Sequence, residues 1–212
     1  GGAAARRRGR FGVAKAAAAL PAGAWHLTGD LTGAEREEAA LAWLLSAYRF
    51  DRYRPGRATS EAALLKTPDG VDGARLLAMA EGECLTRDLI NTPAQDMGPA
   101  ELEAAFLALA ETFGARTEVI RGEELLARNF PMIHAVGRAS TRAPRLLDLH
   151  WGDAGPRLTL VGKGVCFDTG GLNIKPSNGM LLMKKDMGGA ATVMGLAHMI
   201  MRLGLPIRLR VL

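Results

Sequence analysis

The constraint on this chain's fold lies in its second half. There, short apolar runs at residues 146–150, 158–161 and 207–212 are interleaved with helical patterns, the last being the small-residue segment 188–203. Runs of this length suit strands inside a sheet, and a helix between two such runs provides the crossover that parallel neighbours need. The reading is therefore α/β: a small N-terminal α/β domain remnant, a linker helix, and a three-layer α/β/α domain with a largely parallel, mixed sheet. The expected boundaries are residues 1–60 for the first domain, 61–90 for the linker and connecting helix, and 91–212 for the second domain.

The remaining elements follow from local signals. The alanine-rich run ending at Leu20 is helix material stopped by Pro21 and Gly23, and residues 24–27 form a short strand candidate. Thr32 with Glu35 three residues on is a capping box opening a helix that carries Ala39, Ala42, Leu45 and Tyr48. Thr67-Pro68-Asp69-Gly70 is a turn, and the long helix after it ends at Asn91-Thr92-Pro93. Gly98-Pro99 starts another helix that stops at Gly114. Residues 117–120 are a strand, 123–128 a short helix and 132–136 a further short strand.

Charge and composition narrow the function. Residues 1–60 hold ten of the 27 Lys and Arg against five of the 22 Asp and Glu, so the excess of +5 lies in this segment. The cluster Arg6, Arg7, Arg8 and Arg10 reads as a solvated surface turn, with an organellar presequence, a twin-arginine signal or a nucleic-acid patch as alternatives, the last without interleaved aromatics or a matching motif. Nucleic acid is not a favoured partner. No apolar run is long enough to span a bilayer, and Cys84 and Cys166 have neither a paired spacing nor a secretory context, so a reduced, cytoplasmic setting is expected.

Chemistry concentrates between Val161 and Ala191. Lys163, Asp168, Lys175 and Asp186 sit among residues that look ready for burial, and buried charges must be paired or bound to a metal. Familiar motifs fail here. After Gly162-Lys163 comes Gly164 rather than the Ser or Thr of a phosphate loop, and Phe167 occupies the third glycine position of a dinucleotide fingerprint. Asp168-Thr169-Gly170 matches aspartic proteases, but that chemistry needs a second carboxylate sharing the proton, and the surrounding helices argue against it. There is no Gly-x-Ser-x-Gly, and His26, His134, His150 and His198 lack zinc-site spacing.

A carboxylate metal site remains. Asp168 and Asp186 offer hard oxygen ligands, and Lys163 can ligate as a neutral amine, which a desolvated strand-end pocket and an adjacent cation both favour. Two divalent ions about 3.5 to 4 Å apart can share and orient an attacking water. Lys175, kept protonated, would stabilise a developing oxyanion. The simpler alternative is a Lys–Asp salt bridge, with Asp186 capping the helix that follows. Zinc, manganese and magnesium all suit such a donor set.

The pattern Val-Gly-Lys-Gly-x-x-Phe-Asp-Thr-Gly-Gly-x-x-Ile-Lys-Pro-Ser, followed by Met-Lys-x-Asp-Met-x-Gly-Ala-Ala, resembles the leucyl (cytosol) aminopeptidase family of two-metal peptidases. Arg87-Asp88-Leu89-Ile90-Asn91-Thr92-Pro93, Val136-Gly137-Arg138-Ala139-Ser140 and Pro144-Arg145-Leu146 are similar to further family segments. The resemblance covers residues 70–212 and extends only loosely to 1–60. It implies metal ligation by Lys163, Asp168 and Asp186, with Asp168 bridging both ions, and catalysis by Lys175. It also implies that Met183 lines the pocket for the substrate's N-terminal side chain. Peptides with a free N-terminus are the implied substrates and a homohexamer the implied assembly. Lys184 and Lys185 read as surface charge. The family's Asn-Thr-Asp-Ala-Glu-Gly-Arg motif is absent. The resemblance thus implies a chain ending within the catalytic domain, short of at least two metal ligands and inactive alone.

Overall fold

The computed structural model describes residues 11–54, 62–170, 172 and 174–212. The Arg6 to Arg10 cluster lies outside them. The chain divides into two compact units, Gly1–Cys84 and Leu85–Leu212.

The first unit contains α1 (Val13–Ala19), β1 (Gly23–Trp25), α2 (Gly33–Ser46) and β2 (Ala63–Leu65). The capping box is formed as expected: Thr32 N donates to Glu35 Oε2 at 2.9 Å and Glu35 N donates to Thr32 Oγ1 at 3.3 Å. β1 and β2 pair in parallel. α2 lies between them in sequence and buries Ala39, Ala40, Ala42 and Trp43. Trp43 Nε1 donates to the Ala63 carbonyl at 3.0 Å, tying α2 to β2. β2 falls where sequence reading places only a domain boundary, because a three-residue Ala-Leu-Leu run carries almost no periodicity. α3 (Gly73–Asn91) follows. Leu76 and Ala80, one turn apart, are buried, whereas Leu77 is 43% exposed; a 100° step takes it off the Leu76 face.

The second unit is built on a four-stranded sheet of β3 (Arg116–Arg121), β4 (Arg145–Trp151), β5 (Arg157–Leu160) and β6 (Arg208–Val211), in the order β3-β4-β6-β5. The sheet is mixed, with β3–β4 and β4–β6 antiparallel and β5–β6 parallel. α4 (Pro99–Thr112) and α8 (Gly188–Arg202) supply the helical side of the core. Leu102 and Phe106 of α4, with Met194 and Ile200 of α8, pack in one cluster with Leu149, Leu209 and Val211 of the sheet. α5 (Glu124–Ala127) and α6 (Pro131–Gly137) lie against β3 and β4.

Residues 132–136, expected as a strand, belong instead to helix α6. Pro131 occupies the first helical turn, where its missing N–H costs nothing. Two β-branched residues, Ile133 and Val136, outweigh that signal when the segment is read alone. The helix ends against Pro144, whose side chain would stand 2.4 Å from a Cβ at Gly137.

A charged triad fastens α4 to the sheet. Arg121 and Arg145 face each other across β3 and β4, an unfavourable juxtaposition of like charges. The buried Glu103 carboxylate of α4 resolves it. Arg145 Nη1 donates to Glu103 Oε2 at 2.6 Å and Arg121 Nε donates to the same oxygen at 3.0 Å. The Arg121 hydrogen bond, more than that from Arg145, holds the Glu103 carboxyl below its ordinary 4.5.

The turn from β5 towards the candidate site depends on glycine. A Cβ on Gly162 would lie 2.6 Å from Ala190 Cα and 2.8 Å from the Gly189 carbonyl oxygen, and one on Gly189 would lie 2.9 Å from Lys163 N. This approach lets Ala190 N, among the unpaired donors of the α8 N-terminus, reach the Lys163 carbonyl at 2.8 Å.

Two outcomes follow for unfolding experiments. Glu103→Gln is expected to lower stability by about 3 kcal/mol, because it leaves the Arg145 guanidinium buried without its counter-charge. Since the folded pKa of Glu103 is depressed, the wild type's advantage is full above the ordinary glutamate range. It disappears as pH falls through the lowered value, which urea titrations from neutral pH into acid will follow. Gly162→Ala should cost about 2 kcal/mol through overpacking against backbone. Gly164→Ala, whose Cβ would meet its nearest neighbour at 3.5 Å, should be tolerated in the same thermal scans.

Candidate metal centre

Beyond Gly162 the chain leaves the sheet and carries Lys163 and Asp168 outward on a loop. Cys166 points inward and is buried, and burial pushes its thiol up to about 11. The raised value favours the protonated thiol at neutral pH. Gly170 takes a φ of 61°, a left-handed turn that favours glycine. Lys175 precedes the short α7 (Ser177–Leu181). A 3₁₀ turn, Met183–Met187, then buries Met183 and Met187 and carries Asp186 up to the start of α8.

Four of the five expected site residues come together as two ion pairs. Lys163 Nζ donates to both carboxylate oxygens of Asp186 at 2.9 Å, and Lys175 Nζ donates to Asp168 Oδ1 at 2.9 Å. Lys163 and Asp168 also share the wall of a cavity of about 1190 Å³. Its apolar walls include Leu102 and Phe106 of α4, Met132 and Val136 of α6, and Val193 and Met194 of α8. Met183, the fifth residue, is 7% exposed and is not among the residues lining that cavity.

Burial of the charges is not observed. The Lys163 and Asp186 side chains are 60% and 37% exposed, and those of Lys175 and Asp168 are 48% and 40% exposed. Lys163 thus lacks the desolvated pocket expected for it, because the loop after β5 turns it outward. Ion pairs so exposed contribute on the order of 0–1 kcal/mol. Fold stability therefore does not account for two of them within one loop-and-turn segment.

The donor chemistry suits a divalent cation in part. Asp168 and Asp186 present carboxylate oxygens now shared only with ammonium groups, and Lys163 adds a nitrogen. Among the described residues no three His, Cys, Asp or Glu side chains form a metal-holding group, so these donors are a partial set.

Two contacts went unforeseen. Lys184, read as surface charge, donates from Nζ to the Asn91 carbonyl at 3.1 Å in a partly buried position. Arg142, in the cavity wall, donates to the carbonyls of Gln95 at 2.8 Å and Ala94 at 3.3 Å. All three acceptors are backbone carbonyls remote in sequence, and no side-chain pattern announces them.

Comparison with known proteins agrees with this architecture. The profile of the cytosol aminopeptidase family's catalytic domain matches residues 84–212, and that of the M17 aminopeptidase N-terminal domain matches residues 2–68. A probable cytosol aminopeptidase of Chelativorans sp. is 37% identical over 207 residues, which are 89% of this chain and 42% of that protein. The crystal structure of the Coxiella burnetii cytosol aminopeptidase superposes with a TM-score of 0.85 at 47% identity, covering 95% of this chain and 44% of that one. A bottromycin maturation enzyme in complex with Mn superposes with a TM-score of 0.82 at 35% identity, covering 95% and 46%. The chain thus spans less than half the length of these relatives. With the catalytic-domain profile matching well over half of its residues, the chain belongs to the cytosol aminopeptidase family.

Proposed function

We propose that the whole protein is a metal-dependent aminopeptidase that releases N-terminal amino acids, leucine-like ones included, from peptides. The observation that carries this reading is the pair of exposed Lys–Asp contacts, Lys163–Asp186 and Lys175–Asp168, at the rim of a large apolar cavity. They add little to stability and lie in the segment whose motifs resemble those of the family.

In this reading Asp168 and Asp186 would hold the divalent ions through their carboxylate oxygens, and Lys163 would supply a neutral amine nitrogen. When bound, the ions activate a water and polarise the scissile carbonyl. A lysine coordinates only as the neutral amine, so metal binding at Lys163 would be accompanied by release of a proton. Lys175 Nζ donates to Asp168 and is the donor proposed for the substrate's carbonyl oxygen as negative charge develops there. Met183, buried in the 3₁₀ turn, is assigned to the floor of the pocket for the N-terminal side chain.

Zinc and manganese are the proposed ions, with magnesium also suited to the oxygen donors; the manganese of the bottromycin enzyme supports the second. Three donors are few for two ions, since a catalytic zinc ordinarily takes three protein ligands besides its water, so the 212 residues alone should turn over little or no substrate. No helix among the described residues is long and apolar enough to cross a membrane. A cytoplasmic homohexamer acting on peptides with a free amine completes the proposal.

Metal content and turnover of the whole protein test the division of roles. Removing metal with 1,10-phenanthroline should abolish hydrolysis of leucine 4-nitroanilide, and restoring zinc or manganese should recover it. Asp168→Ala should lose metal by elemental analysis. Lys175→Ala should keep it while turnover falls on the order of 10² to 10³-fold. Equal metal loss in both variants contradicts the assignment.

A further inference from the structure

The segment Arg87 to Pro93 carries no catalytic chemistry, yet the structure sets it directly beneath the candidate site. The last turns of α3 run along residues 184–191. Thr86 Oγ1 donates to the Ala191 carbonyl at 3.2 Å. Ile90 stands 3.5 Å from where a Cβ on Gly188 would be. The Asn91 carbonyl accepts from Lys184 Nζ at 3.1 Å. Asp186 lies between two of these points, Lys184 on one side and Gly188 on the other. Its neighbour Met187 is fully buried in the same core cluster as Leu89.

The chemistry of the anchor is specific. Asn91 is the last residue of α3, and the negative end of the helix dipole favours a cation there. Pro93, two residues on, stops the helix. A lysine ammonium suits that end. Lys185 is exposed in its place, so the two adjacent lysines are not equivalent.

We infer that Lys184 is a positioning residue: by anchoring the 3₁₀ turn to the C-terminus of α3, it sets the Asp186 carboxylate opposite Lys163. This rests on the metal reading of Asp186 for its functional meaning, but the positioning itself is a property of the metal-free protein. Groups in the shell behind metal ligands typically control about 10 to 100-fold in metal affinity or activity.

The test uses the whole protein with Lys184→Met, which keeps the apolar stem and removes the donors, Lys184→Arg, which restores a charged donor, and Lys185→Met as the charge control. In metal-free crystals, Lys184→Met should displace Asp186 from Lys163, while Lys184→Arg and Lys185→Met retain that contact. Zinc affinity by chelator competition should fall about ten-fold or more in Lys184→Met, with kcat reduced and KM within about two-fold. The other two variants should stay near wild type. An unchanged Lys163–Asp186 contact in Lys184→Met overturns the inference, as does equal loss in Lys185→Met. If Lys184→Met does not yield folded protein, Lys184→Ala, which likewise removes the donors, is read by the same criteria. Failure of the wild type to bind zinc would refute the metal reading alone, since the crystallographic contact still decides the positioning.

Discussion

The close approach of two backbones, at Gly162–Lys163 and Gly189–Ala190, underlies the second unit. A side chain on either glycine would collide with main-chain atoms of the other segment. Their absence lets the Lys163 carbonyl receive the Ala190 amide. That hydrogen bond joins the end of β5 to the start of α8, so that Lys163 and Asp186, 23 residues apart in sequence, meet at 2.9 Å. Outward from this junction the Lys163, Asp168, Lys175 and Asp186 side chains are solvated. Everything inward belongs to the core of Leu149, Leu209, Val211 and the two helices packed on them.

The second support is the rail formed by the end of α3. A helix C-terminus exposes carbonyl groups that seek donors, and here side chains and small residues of the 184–191 segment are matched to it. The site is thus held from two directions, from the sheet through glycines and from α3 through Lys184. The Glu103 triad does comparable work farther out, cancelling the repulsion between Arg121 and Arg145 while it fixes α4 over the sheet. In each case a polar group is placed where the local backbone or charge pattern would otherwise be unsatisfied.

Much of this was legible in the sequence, for identifiable reasons. The Thr32 capping box is a local signal with a local outcome, and the apolar runs of β4 and β6 supply Leu149, Leu209 and Val211 to the core, whereas β5 is largely exposed. The four charges between Lys163 and Asp186 stood out because their neighbours were glycine and apolar residues. Their pairing was foreseeable in kind, but their exposure was not, since it depends on a loop trajectory beyond β5. The segment 132–136 misled because β-branched residues favour strands in isolation, whereas Pro131 and packing against β4 made it α6. Lys184 was invisible because its partner is a backbone carbonyl 93 residues away. Motif resemblance supplied the family and the roles proposed for Lys163, Asp168, Lys175 and Asp186. It could not reveal what holds them in place.

The account's central claim is that Lys163, Asp168 and Asp186 are metal donors whose present ion pairs are the metal-free arrangement of that site. A crystal structure of the whole protein soaked in zinc or manganese, with anomalous scattering measured at the metal's absorption edge, tests this most directly. The account predicts metal peaks in contact with Asp168 and Asp186, with Lys163 Nζ moved from its hydrogen bond with Asp186 onto a metal and Lys175 Nζ free of any metal contact. Peaks elsewhere on the protein, with both Lys–Asp pairs intact, would contradict it.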